Sequence, residues 1–315
     1  MIVIIRKLCA IGTACHFAAS FSAVAFGLVL VASSANAQDV DAGDGPGDVA
    51  KAVQVPEPVD SENASLTYPR TVSIAKENLL IVDLDLPGVW IKEGDSMKVH
   101  TPGTKLLRKP MNRPWCAVGH PSGGILIGDS ATREVYYSAE PGDSLVALNN
   151  GFLGIPYSIA VDPAGEWIYV GDREKRAVFR LPLQGGVPEE VARVNASALS
   201  WDSDGNLWAV TPDAQAVQKI DPATKEVEVV VDGRPYAFPN GLVWAGDRGF
   251  VTDTYGNSIW TFTADGKTEK WFEGDPLSRP VGITADDQFL YVADPEKKQV
   301  FRFDLKTKAV EPVLK

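Results

Sequence analysis

From Pro69 onward the chain repeats one pattern of apolar and polar positions. It reads Pro, two residues, an apolar run, a tight turn, a second apolar run and usually Asp. The clearest instances are Pro156-Tyr157-Ser158-Ile159-Ala160-Val161 with Trp167-Ile168-Tyr169-Val170-Gly171-Asp172, and Pro280-Val281-Gly282-Ile283-Thr284 with Leu290-Tyr291-Val292-Ala293-Asp294. Others begin at Pro69, Pro114 and Pro239, and one without its proline begins near Ala196. Each pair of runs reads as an antiparallel hairpin, joined by turns such as Asp162-Pro163-Ala164-Gly165 and Asp202-Ser203-Asp204-Gly205. Third strands follow at 178–181, 217–220, 259–262 and 300–303, and fourth strands at 268–272 and 309–314. A repeat of about 40 to 45 residues built from short strands predicts a β-propeller, and six repeats predict six blades of four antiparallel strands.

Three regions follow from this spacing. Residues 68–315 form the propeller, at about 41 residues per blade, with nothing left over for a second domain. Residues 38–67 are acidic, contain Gly and Pro, lack apolar periodicity and read as a disordered tether. Residues 1–37 hold Arg6 and Lys7, no acid, and an apolar stretch ending in Ala35-Asn36-Ala37, which reads as a secretory signal peptide with an A-x-A cleavage site. The expected protein is therefore secreted or periplasmic, is not held in a membrane once the signal is removed, and is read as a monomer.

Charge and cysteine use narrow the function. The net charge of −11 becomes more negative after Arg6 and Lys7 are lost, which argues against nucleic acid as a partner. Cys9 and Cys15 leave with the signal, so Cys116 stands alone and no internal disulfide forms; beside Trp115 in an apolar strand, it reads as a buried, inert thiol.

The start of each first strand and the end of each second strand share one face, around the mouth of a central channel, where ligands of this architecture are expected. Loops 149–154 and 234–238 lie on the same face. Asp83, Asp129, Asp172, Asp253 and Asp294 end five of the six second strands, and repetition marks them as turn caps bonded to backbone. The blade starts differ: Arg70, Trp115, Tyr157, Ser197, Asn240 and Val281. Trp115 and Tyr157, with Phe152, Tyr236, Phe238 and Tyr255, are expected either to line an amphipathic pocket or to pack between blades. The ligand-binding candidates are Arg70, Trp115, Tyr157, Asn240 and Tyr255.

At Phe238-Pro239-Asn240-Gly241-Leu242, followed by 249–254, the chain resembles the SMP-30/gluconolactonase group of six-bladed propellers, and the repeats at Pro156 and Pro280 look like NHL repeats. The resemblance implies a divalent cation at the channel mouth, held by the Glu of an E-G-P motif, the Asn of P-N-G and the Asp of P-D-G. Asn240 matches the second of these. The first blade has Tyr68-Pro69-Arg70 without the Glu, and the last has Arg279-Pro280-Val281-Gly282 with Val in place of the Asp. A hard cation such as Ca²⁺ needs several oxygen ligands, and an arginine at a blade start opposes it.

Other chemistry finds little support. His100 and His120 are the histidines beyond the signal, with His120 in a turn on the face opposite the mouth, and no G-x-S-x-G elbow, zinc spacing or phosphate loop occurs. No residue is assigned a catalytic role. The first expectation is a module binding a small molecule or a protein partner at the mouth, over a degenerate metal site. The alternative is a lactonase-like hydrolase whose Ca²⁺ or Zn²⁺ is held by Asn240 and a recruited Asp253.

Overall fold

The computed structural model describes residues 52–53 and 65–314, so the expected signal at 1–37 and most of the expected tether at 38–67 lie outside the described residues. Within them the chain is all β. Six blades span 69–102, 114–147, 156–192, 198–231, 239–273 and 283–312, each a four-stranded antiparallel meander whose strands run outward in sequence order. The innermost strands are Pro69–Ala75, Pro114–Gly119, Pro156–Val161, Ala198–Trp201, Pro239–Ala245 and Ile283–Ala285. Each touches the innermost strand of the next blade, and the sixth touches the first, closing the ring. Blade 2 gains a fifth strand, because Ala52–Val53 pairs antiparallel with Leu145–Ala147 at its rim. The acidic composition of 38–67 gave no sign of that pairing.

The core lies between blades. Val72, Ile81 and Trp90 of blade 1 pack against Ala293 and Val300 of blade 6, and Trp208 and Val217 of blade 4 pack against Leu242, Val251 and Phe262 of blade 5. Alternation along each strand sends one side chain to the preceding blade and the next to the following one, so every repeat needs both neighbours. Gly241 marks how near the inner strands approach: a Cβ there would stand 2.5 Å from the Val281 carbonyl oxygen.

Two recurring devices shape the mouth. The first is a register shift just after the blade proline. Pro69, Pro114 and Pro156 pair with Asp83, Asp129 and Asp172, the ladder resumes at Thr71, Cys116 and Ser158, and Arg70, Trp115 and Tyr157 are skipped. In blade 5 the shift skips Asn240 and Gly241. A bulge of this kind re-aims its residue out of the sheet, and proline tolerates the first strand position because no ladder donor is needed there.

The second device is the terminal aspartate. Asp172 accepts from the backbone N–H groups of Gly154, Ile155, Glu174 and Lys175 at 2.7 to 3.0 Å, tying the loop that enters the blade to the turn that follows. Asp83, Asp253 and Asp294 do the same, and Asp129 joins Arg113 N–H to Ala131 N–H and the Thr132 hydroxyl. The turn-cap reading of the repeated aspartates is what the structure presents. Blade 4 has Thr211 at this place, its hydroxyl accepting from Asp213 N–H and donating to the Gln215 carbonyl.

The two faces of the ring differ in charge. On the mouth side, loop 103–113 carries Lys105, Arg108, Lys109 and Arg113 with no acid, and turn 173–176 carries three basic residues against Glu174. The hairpin turns of the opposite face hold Asp162 and Glu166, Asp202 and Asp204, and Asp286 and Asp287.

Candidate functional site

The innermost strands of all six blades enclose a channel cavity of about 240 Å³, walled by residues such as Ser158, Ile159, Leu199 and Val281, with Arg70, Tyr157 and Asn240 towards its mouth. The re-aimed residues meet there. The Arg70 guanidinium carbon lies 4.2 Å from the centre of the Trp115 ring and 4.4 Å from that of Tyr157, and the two rings stack 5.0 Å apart. The Tyr157 hydroxyl donates to Asn240 Oδ1 at 2.9 Å. Four of the five predicted ligand-binding residues, from blades 1, 2, 3 and 5, therefore form one cluster.

Trp115, Tyr157 and Asn240 are each met by the residue after their own blade's terminal aspartate. Trp115 Nε1 donates to Ser130 Oγ at 2.6 Å, Asn240 Nδ2 donates to Thr254 Oγ1 at 2.5 Å, and the Arg173 guanidinium lies 4.5 Å from the Tyr157 ring centre. Arg173 also donates to Ser197 Oγ at 3.1 Å, bringing in the blade 4 start. Arg173 and Thr254 lie outside the column of blade starts. A second column through the repeat, one residue past each terminal Asp, contains both.

The remaining candidates fall elsewhere. Tyr255 is 63% exposed and packs on Phe238 with ring centres 4.8 Å apart, outside the channel lining. Tyr236 is buried between blades, its hydroxyl paired with Thr268 Oγ1, and Phe152 packs on Phe179. Cys116 is buried beneath the cluster with Sγ facing the Pro156 carbonyl, and burial pushes its thiol pKa up to about 12, so it stays protonated and inert. His120 sits in the far-face turn against the Tyr137 ring, and His100 lies on the outermost strand of blade 1.

A divalent cation does not suit the residues at this mouth. Asn240 spends its carbonyl oxygen on Tyr157 and its amide on Thr254, and Asp253 spends both oxygens on the N–H groups of Ala237, Phe238 and Gly256. Among the described residues no three His, Cys, Asp or Glu converge as a metal site. The charge at the mouth is supplied instead by the Arg70 guanidinium, which would repel a second cation.

No family model matches the chain. Over 115 residues, covering 30% of this chain and 32% of the relative, it is 29% identical to a gluconolactonase of Zymomonas mobilis, so the match spans about a third of that relative's length. Among solved structures, it superposes on virginiamycin B lyase of Staphylococcus aureus with a TM-score of 0.61 and 17% identity, covering 84% of this chain and 88% of the lyase. A gluconolactonase of Xanthomonas campestris gives a TM-score of 0.61 and 15% identity, covering 79% of this chain and 96% of that one. In fold the chain is a gluconolactonase-like six-bladed propeller, an architecture that carries both lactonase and lyase chemistry among these neighbours.

Proposed function

We propose that this gluconolactonase-like propeller is a binding module that takes a small molecule at its channel mouth without a metal ion. The observation that carries the reading is the engagement of Asn240: the amide oxygen that would hold a cation by resemblance already accepts the Tyr157 hydroxyl, and the Nδ2 donates to Thr254. In its place stand a guanidinium, two stacked aromatic rings and a narrow channel with mixed polar and apolar walls. Such a site offers apolar contact area and a few oriented polar groups, which supports binding, and among the described residues its lining includes no histidine or carboxylate to serve as a general base.

The second reading is a metal-dependent lactonase, favoured by the partial match to a gluconolactonase. A cation held by Asn240 Oδ1 would compete with the Tyr157 hydrogen bond and sit beside Arg70, and it would then polarise an ester carbonyl. The two readings part in one experiment. Adding Ca²⁺, Zn²⁺ or Mn²⁺ is expected to leave the melting temperature unchanged in both the native protein and Asn240→Ala, and neither is expected to hydrolyse lactones. A metal-induced rise in melting temperature, with lactone hydrolysis, both lost in Asn240→Ala, would establish the hydrolase instead.

A further inference from the structure

We infer that the ligand of this mouth is a small organic acid, its carboxylate engaged by Arg70 and Arg173 and its uncharged tail directed into the channel. The inference rests on the mouth being a ligand site, as proposed above, and adds the chemical class. Arg70 is only 5% exposed, yet its Nε is buried without a hydrogen-bond partner, and it forms no ion pair among the described residues. The Oγ1 of its neighbour Thr71, also in the channel wall, is likewise buried and unpartnered. A buried cation is costly to hold without a counter-charge, and the ring contacts with Trp115 and Tyr157 offset only part of that cost.

Arg173 adds a second uncompensated charge to the same tyrosine. Its polar contact is to the neutral Ser197 hydroxyl, and the nearby acids are engaged elsewhere: Asp172 by four backbone N–H groups, Glu174 by Arg133 and Asp213 by Arg176. Two guanidinium groups lie against the Tyr157 ring, at 4.4 and 4.5 Å from its centre, and Arg70 lines the cavity, so the mouth supplies the donors that an oxyanion accepts. A planar guanidinium edge matches the two oxygens of a carboxylate, and the aromatic rings and the apolar Ile159, Leu199 and Val281 suit a carbon skeleton better than a bare inorganic ion. The surrounding field agrees, because the basic loops of the mouth side attract anions to a protein whose net charge is −11.

The test uses sodium benzoate, its neutral isostere benzamide, and inorganic phosphate as an oxyanion without a tail. Calorimetric titration and melting curves of the native protein are expected to show saturable benzoate binding that weakens with added salt, with benzamide and phosphate at least about tenfold weaker. Arg70→Gln is expected to abolish benzoate binding. Arg173→Gln, at a half-buried position where folding should be unaffected, is expected to weaken it about tenfold, the loss typical of one charged contact. Equal binding of benzoate and benzamide, benzoate binding unchanged in both variants, or phosphate matching benzoate would overturn the carboxylate while leaving the mouth a binding site. No saturable binding of any probe up to its solubility limit would overturn the inference outright. Asn240-dependent, metal-activated lactone hydrolysis would instead overturn the reading on which it rests.

Discussion

His100 is buried at 3% exposure on the outer strand of blade 1, its Nδ1 beside Thr101 Oγ1 at 3.0 Å. Burial lowers its pKa from the ordinary 6.5, against a weaker opposing pull from Glu140, Asp143 and Glu93. A base whose folded pKa is depressed contributes its full stability above the unfolded value and loses it as pH falls below. The melting temperature is therefore expected to fall as pH drops from about 7.5 through 6.5, and His100→Gln should flatten that slope in parallel melts. An identical slope in the variant would refute it. His120, also lowered by burial, acts in the same sense, while Asp129 and Glu134, raised by burial, act oppositely at lower pH, so the comparison between variants isolates His100. Among single residues the sequence placed Arg70, Trp115, Tyr157 and Asn240 correctly at comparable blade positions. It left the Asn240 amide open, because hydrogen bonds between side chains 83 residues apart, as with Tyr157, leave no trace in local pattern.

The element that repeats is the hairpin with its terminal aspartate, and its weight can be measured in blade 3. Asp172→Ala leaves four N–H groups without their acceptor, in a region where the side chain is fully buried. The expected cost is about 2 to 4 kcal/mol in chemical denaturation, since removing one partner of buried bonds to a charged group is expensive. Glu174→Ala, breaking only the exposed pair with Arg133, should cost less than about 1 kcal/mol. Similar losses for the two would show that the aspartate is not the tie. The hairpins, their turns and the strand count were legible because period-two patterning and turn residues are local. The bulge after each proline was not, although it is what turns Arg70, Trp115 and Tyr157 into the mouth, since it exists only in the pairing between two strands.

Across the whole molecule, the four-stranded meander of each blade is one unbroken stretch of chain, so blades 1 and 6 meet through side chains rather than a shared sheet. Removing 280–315 would expose Val72, Ile81 and Trp90 on one side and Phe250, Ile259 and Trp271 on the other. The truncated protein is expected to aggregate and to lose its cooperative thermal transition, read by light scattering and calorimetry. A soluble product with an unchanged melt would contradict a closed ring.

The unequal charge of the two faces has a further consequence for such a ring. A disc basic on one side and acidic on the other carries a permanent dipole along its axis, so its net charge does not describe how it meets a surface. Against a cationic support it lies on its acidic side, the turns around Asp162, Asp202 and Asp286, and the channel opens outward to solvent. Against an anionic support the loops around Lys105, Arg108 and Arg173 turn downward, and the protein covers its own channel despite being an acidic molecule overall.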